Sequence, residues 1–231
     1  MATVIKTDIG NSYQAPESWE EITLQSYLGF LDISMPECLS TIMDEADSDK
    51  RVQKYRERTP TEQAECLNYY CQVVSHFIVG ENQGLLDWPK RQVEQLFWYL
   101  LRILNHEPEY QYTPVIVDRG RSWYLPERFM TDGTVGSFLT ACGLQQVTKK
   151  EDQVKAFPKI LCLLCRSSKD EPYDEDELLK REPMFLQWTM DKVWSVIFFL
   201  AKQKQEYITD LQTYTTLAQI KAYQLRRGAK T

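Results

Sequence analysis

The residues best placed to do chemistry are Cys162 and Cys165, a C-x-x-C pair inside KILCLLCR. Such a pair can serve zinc or redox chemistry, and each needs further partners. Zinc takes four ligands, often from a second C-x-x-C or two histidines. The other cysteines, Cys38, Cys66, Cys71 and Cys142, form no second pair at that spacing, and the only histidines, His76 and His106, lie far off in sequence. A thioredoxin-type centre wants its first cysteine at a helix N-terminus after a strand. Here the upstream run reads as helix, Cys162 follows Pro158, and Ile160, Leu161, Leu163 and Leu164 surround the pair. Free cysteines in such surroundings behave as small hydrophobes. The pair therefore reads as scaffold, and neither a metal site nor a cofactor is expected.

The other candidate chemistries fare no better. The acidic run DEPYDEDE, Asp170 to Glu177, suggests calcium, but a calcium loop of the EF-hand kind needs a central glycine. No glycine occurs between Gly143 and Gly228. The run reads as a solvated turn whose carboxylates favour the next helix start, with a contact surface for a basic partner as the alternative. A G-x-S-x-G nucleophile motif is absent, since Gly136-Ser137-Phe138 continues with Leu139 and Thr140. GTVGSF lacks the spacing and the Lys-Ser/Thr ending of a phosphate loop. His76 sits in SHFIV on an apolar helix face, and His106 follows a helix end, where it can cap carbonyls. No catalytic residue emerges, and the chain is not expected to be an enzyme.

Composition narrows the partners. With 27 basic and 33 acidic residues the net charge is −6, against broad binding to a phosphate backbone. Only the tail, Lys221 to Lys230, is locally basic, and basic residues there also complement a terminal helix dipole. The N-terminal run lacks a charged-then-apolar leader, and Ala2 stands where N-myristoylation needs glycine. The longest apolar run, VWSVIFFLA, falls short of the roughly 20 residues that span a bilayer. A cytoplasmic protein with reduced thiols is expected.

The elements that position these residues read as helices with one hairpin. Residues 1–15 read as a flexible segment in which TVIKT could add an edge strand. Ser18-Trp19-Glu20-Glu21 holds an S-x-x-E capping box, followed by Ile22, Leu24, Tyr27, Leu28 and Leu31 near a 3.6 period. A short helix is expected within residues 36–46, then a charged, solvated stretch over Asp44 to Arg58. Thr59-Pro60-Thr61-Glu62 and Asp87-Trp88-Pro89 open two more helices. Val115-Ile116-Val117 and Trp123-Tyr124-Leu125 flank Asp118-Arg119-Gly120-Arg121, which predicts a β-hairpin with positive φ at the glycine. Helices are then predicted over VGSFLTACGL, behind a capping box at Thr148, over KILCLLCR after a break at Pro158, from Glu182-Pro183 as one long run, and near Leu211 to Arg227. The expected fold is mainly α, a multi-helix globular domain over 16–231 with one small hairpin. A sub-division near 105–113, into 16–108 and 109–231, is open.

The chain carries six Trp, thirteen Tyr and nine Phe, most of them at helical spacing and so expected in the core. Trp98 beside Phe97 cannot face the same way, which places one ring at a boundary or interface. Exposed aromatics are the usual anchors of protein interfaces.

Three patches share a pattern. PESWEEITLQSYLGFLDI resembles the x-P-x-x-W-x-E-I-T-L-x-x-Y opening of small proteins from the structural gene clusters of tailed phages. SWYLPERF followed by TDGTVGSFLTA resembles their aromatic strand and the helix after it. LCRSSKDEPYDEDELLKREPMF resembles their Arg and Tyr-Asp turn, with Arg166, Tyr173 and Asp174 in the matching places and the turn's glycine missing. The resemblance implies a tail assembly chaperone in the host cytoplasm, which binds the long helical tape-measure protein until tail-tube subunits polymerise around it. The alternatives are a virion component, such as a head–tail adaptor or connector, and a small enzyme or host-takeover factor. Partner contacts are expected around the hairpin and acidic turn, at Trp123, Tyr124, Arg128, Tyr173 and Asp174. For Trp123 and Tyr124 the competing reading is that they glue the hairpin to the helices.

Overall fold

The computed structural model describes residues 3–6, 12–78, 85–106, 113–126, 154–203 and 205. Arg128, the helix expected over VGSFLTACGL, the capping box at Thr148 and the last helix lie outside the described residues. The fold is mainly helical. Its chain divides into two compact units: Met1–Glu109 with Leu186–Asp191, and Tyr110–Phe185 with Lys192–Thr231. No helix among the described residues is long and apolar enough to cross a membrane.

In the first unit, β1 (Thr3–Lys6) pairs antiparallel with β2 (Ser12–Ala15), Thr3 opposite Ala15. This is a second hairpin where at most an edge strand was expected. Along β2 the side chains alternate as the pleat requires, with Tyr13 and Ala15 buried and Gln14 exposed. The Tyr13 ring meets buried Trp88 edge-on at 4.7 Å.

The helix predicted from Ser18 is interrupted. Ser18 Oγ caps one 3-10 turn, Trp19–Glu21, and the Glu21 carboxylate accepts from Glu17 N–H rather than closing a box on Ser18. Ile22 is extended, and α1 (Leu24–Leu31) starts afresh with Thr23 Oγ1 accepting from Ser26 N–H at 3.1 Å. The cause is the accounting of backbone donors, since the first amides of a helix have no acceptor within it. Leu24 N–H donates to the Trp188 carbonyl at 2.8 Å and Gln25 N–H to the Leu186 carbonyl at 2.9 Å. Met190 N–H in turn donates to the Ile22 carbonyl at 2.8 Å. The same exchange breaks the long helix predicted from Glu182. It becomes α8 (Glu182–Phe185), an irregular stretch over 186–189, and α9 over residues 190–203.

Four further helices build the first unit: α2 (Glu37–Met43), α3 (Ser48–Arg56), α4 (Pro60–Phe77) and α5 (Lys90–Asn105). The Thr59 capping box of α4 is complete, with Glu62 N–H on Thr59 Oγ1 at 3.3 Å and Thr59 N–H on the Glu62 carboxylate at 2.7 Å. α4 buries Cys66, Tyr69, Tyr70, Val73, Val74 and Phe77, one stripe of a 3.6-residue period. Tyr70 stacks on Phe97 of α5 at 4.1 Å. α1 approaches α4 closely at Gly29, where an added Cβ would stand 2.8 Å from His76 Cε1. His76 Nε2 donates to the Ser26 carbonyl at 2.6 Å, which makes it a half-buried structural residue.

In the second unit the predicted hairpin forms, with β3 (Val115–Asp118) paired to β4 (Arg121–Tyr124) and Asp118 opposite Arg121, so the expected four-residue loop tightens to two residues. The two-residue turn has positive φ at both positions, Arg119 at 47° and Gly120 at 75°. That is the turn whose twist matches a hairpin. The other edge of β4 is held at one point: Tyr124 N–H donates to the Arg166 carbonyl at 2.8 Å, and Arg166 N–H to the Tyr124 carbonyl at 2.9 Å. α6 (Phe157–Leu164) carries Pro158 in its first turn, where a missing N–H costs nothing, and packs on α7 (Glu175–Leu179) and α8.

Candidate functional site

Cys162 and Cys165 lie fully buried on and just after α6. Burial, with the Glu182 charge nearby, pushes the Cys162 thiol up to about 12. Burial also raises Cys165, and the neighbouring Cys162 adds to it. A thiol so protonated is a poor nucleophile. The pair is packing.

The interface expected around the hairpin is only partly on the surface. Trp123 is 1% exposed, with its ring 5.2 Å from Phe185 in a T-shaped contact. The Arg121 and Arg181 guanidinium groups lie 4.7 Å and 5.7 Å from its centroid. Trp123 thus fastens the hairpin to α8 and offers no surface to a partner, a correction to its place among the contact residues. Tyr124 is half-buried, with its backbone engaged by Arg166. Tyr173 is half-buried too, its ring 5.6 Å from the Arg166 guanidinium and its hydroxyl donating to Glu175 at 3.1 Å. Asp174 is exposed, and its carboxylate caps α7 by accepting from Glu177 N–H at 3.3 Å. Tyr124 and Tyr173 therefore meet through Arg166, while Asp174 acts on its own helix.

The acidic turn is not wholly solvated. Glu171 accepts from Ser167 Oγ at 2.9 Å, from Ser167 N–H, and from both terminal nitrogens of Arg181. Burial alone would raise its carboxyl, but the bonds from Arg181 and Ser167 prevail and hold it down at about 2. Nearby, burial lowers the Arg166 guanidinium, and its buried Nη1 makes no hydrogen bond among the described residues.

The first unit contains the feature that the sequence reading missed. Asp44 to Arg58 was expected as a solvated stretch, and most of it forms α3, capped by Asp47 accepting from Asp49 and Lys50 N–H. α3 buries no residue. Its two apolar side chains, Val52 and Tyr55, stand three apart on one face. They lean toward Trp98 and Leu101 of α5, with the Tyr55 and Trp98 rings 6.4 Å apart, without closing over them. An open groove of about 640 Å³ results. Val52 stays 49% exposed and Trp98 40%, whereas Phe97 beside it is fully buried. Arg51, Arg56 and Arg102 also line the groove, and no carboxylate does among the described residues. The signal in the sequence was faint: two apolar residues three apart in a charged run, and the α5 face Trp98, Leu101, Arg102 and Asn105.

No protein-family model, no curated protein and no solved structure matches the chain.

Proposed function

We propose that the chain is a non-enzymatic phage morphogenesis factor, a tail assembly chaperone that binds a long helical protein of the tape-measure type. The patches resembling proteins of tailed-phage structural gene clusters support the class. The open groove beside Trp98 supports binding of a helix: Val52, Leu101 and the exposed Trp98 ring line it, and it is open to solvent. A helix laid in such a groove buries the ring and the aliphatic side chains together. A tape-measure protein exposes apolar helical stripes until the tube forms around it, and covering them keeps it soluble.

The test is to capture the tagged protein from cells producing its parent particle, identify its partners by mass spectrometry, and analyse purified particles in parallel. The proposal expects the tape-measure chain among the captured partners and none of this protein in finished particles. Stoichiometric presence in the particles would replace it with the reading of a virion component.

A further inference from the structure

We infer that the seam between α3 and α5 is a docking site for an acidic amphipathic helix, one with an aliphatic stripe flanked by Glu or Asp. The inference rests on the reading that the partner is a helical protein, and it names where that helix sits and what chemistry it presents. The argument is one of charge against background. The chain has net charge −6, so a surface patch drawn at random is acidic on balance. The seam is the reverse, with three guanidinium groups and no Asp or Glu lining it among the described residues.

Among the described residues, no ion pair neutralises those charges. Arg51 donates through Nε and Nη2 to the Glu45 carbonyl, a neutral acceptor, at 3.0 and 2.5 Å. Arg102 lies 5.6 Å from the Tyr99 ring centroid. Arg56 occupies the last turn of α3, where a cation favours the helix dipole but keeps its donors in water. None of the three has a carboxylate within ion-pair distance among the described residues. Guanidinium groups present a planar fork that matches a carboxylate in two hydrogen bonds, which sets the partner's flanking residues as acidic. Val52, Trp98 and Leu101 supply the apolar floor between the charges. A basic helix would bring like charge against all three arginines, so the arrangement selects as well as attracts.

The experiment uses the full-length chain and two fluorescein-labelled synthetic peptides of about 18 residues, roughly five helical turns. Both carry leucine at i, i+3, i+4 and i+7. One has glutamate at the remaining positions and the other lysine. Fluorescence anisotropy should show the glutamate peptide binding at least about tenfold more tightly than the lysine peptide, with its binding weakening as salt rises. The double variant R56E/R102E alters exposed side chains only, and should weaken the glutamate peptide about tenfold without changing the circular-dichroism melt. Trp98→Ala should weaken it by about 30-fold, the loss typical of a buried aromatic anchor. The inference is overturned if both peptides bind alike, if R56E/R102E leaves the glutamate peptide unaffected, or if the wild type does not bind it. It is likewise overturned if sedimentation shows self-association that either variant abolishes, since a second copy then fills the seam. Capture from particle-producing cells separates the two proposals. If R56E/R102E still retains the tape-measure chain, the seam assignment fails while the chaperone reading stands. If the wild type retains none yet binds the glutamate peptide, the chaperone reading fails and the seam's preference stands.

Discussion

Replacing Glu171 by glutamine tests whether the acidic turn is organised by one carboxylate. The side chain keeps its shape and can still accept from Ser167, but loses its charge toward Arg181. Removing one partner of a fully buried ion pair costs about 3–5 kcal/mol. Here the Arg181 and Glu171 side chains are 23% and 13% exposed, so the cost is smaller, about 2 kcal/mol. The carboxyl offers a second route to the magnitude. It sits at about 2 in the fold, against about 4.3 in an unfolded chain. That difference amounts to about 3 kcal/mol before screening and about 2 after it. At roughly 2–4 °C per kcal/mol, Glu171→Gln should lower the melting temperature by about 4–8 °C at neutral pH.

The sign with pH follows from the depressed carboxyl. The wild type holds this stabilisation fully above the unfolded value and loses it as pH falls toward about 2. Glutamine does not titrate, so the gap between the two proteins isolates Glu171 from every other carboxylate. Urea unfolding followed by circular dichroism should give a constant gap from neutral pH to about pH 5, shrinking to less than half by about pH 3. A gap as wide at pH 3 as at pH 7, or one absent throughout, would refute the ion-pair argument and return the turn to a solvated loop.

Three further outcomes follow from single positions. Thr59→Ala removes the acceptor for Glu62 N–H and should lower stability by about 1 kcal/mol by urea midpoint, with Thr59→Ser restoring most of it. Gly120→Ala should cost about 1 kcal/mol, and Gly120→Asn less; an added Cβ meets nothing within 4 Å, so the cost is that of a φ of 75° alone. Cys38 Sγ of α2 and Cys66 Sγ of α4 lie 3.5 Å apart, so diamide should take their two hydrogens and leave a disulfide, seen by peptide mapping and lost in Cys38→Ser. Burial, with the Cys66 hydrogen bond, pushes the Cys38 thiol up to about 11, so this oxidation should quicken as pH rises through the alkaline range.

The parts legible in the sequence are those decided locally. The Thr59 box, the α4 stripe and the positive φ of Gly120 depend on residues within a few positions of one another, and each stands where the pattern put it, while the hairpin loop is two residues rather than the expected four. Two of the failures share one cause. Leu186 and Trp188 give their carbonyls to the amides of Leu24 and Gln25, more than 160 residues away in sequence, and that exchange interrupts two predicted helices at once. Neither Ile22 nor Leu186 carries a local signal of it. Among the expected contact residues, alternation along β4 placed Trp123 and Tyr124 on opposite faces without saying which face met α8. The buried ring is Trp123. Glu171 looked like its acidic neighbours because only the fold brings Arg181 to it.

The construction of α3 bears on why the seam lies where it does. A nine-residue helix that buries no side chain draws little stability from packing, and helices of that length are marginal by themselves. What holds it is the Asp47 cap, the Lys54–Glu45 ion pair at 2.8 Å, and the lean of Val52 and Tyr55 toward α5. Its apolar face is half of a core whose other half is Trp98 and Leu101, and neither half covers the other. Left open, the gap keeps part of the Trp98 ring in water, and in the proposed docking the ring and Val52 gain burial as a third helix lies between them. In that docking the surrounding arginines would select among helices. Affinity and selection thus reside in different side chains, and Trp98→Ala and R56E/R102E test them separately.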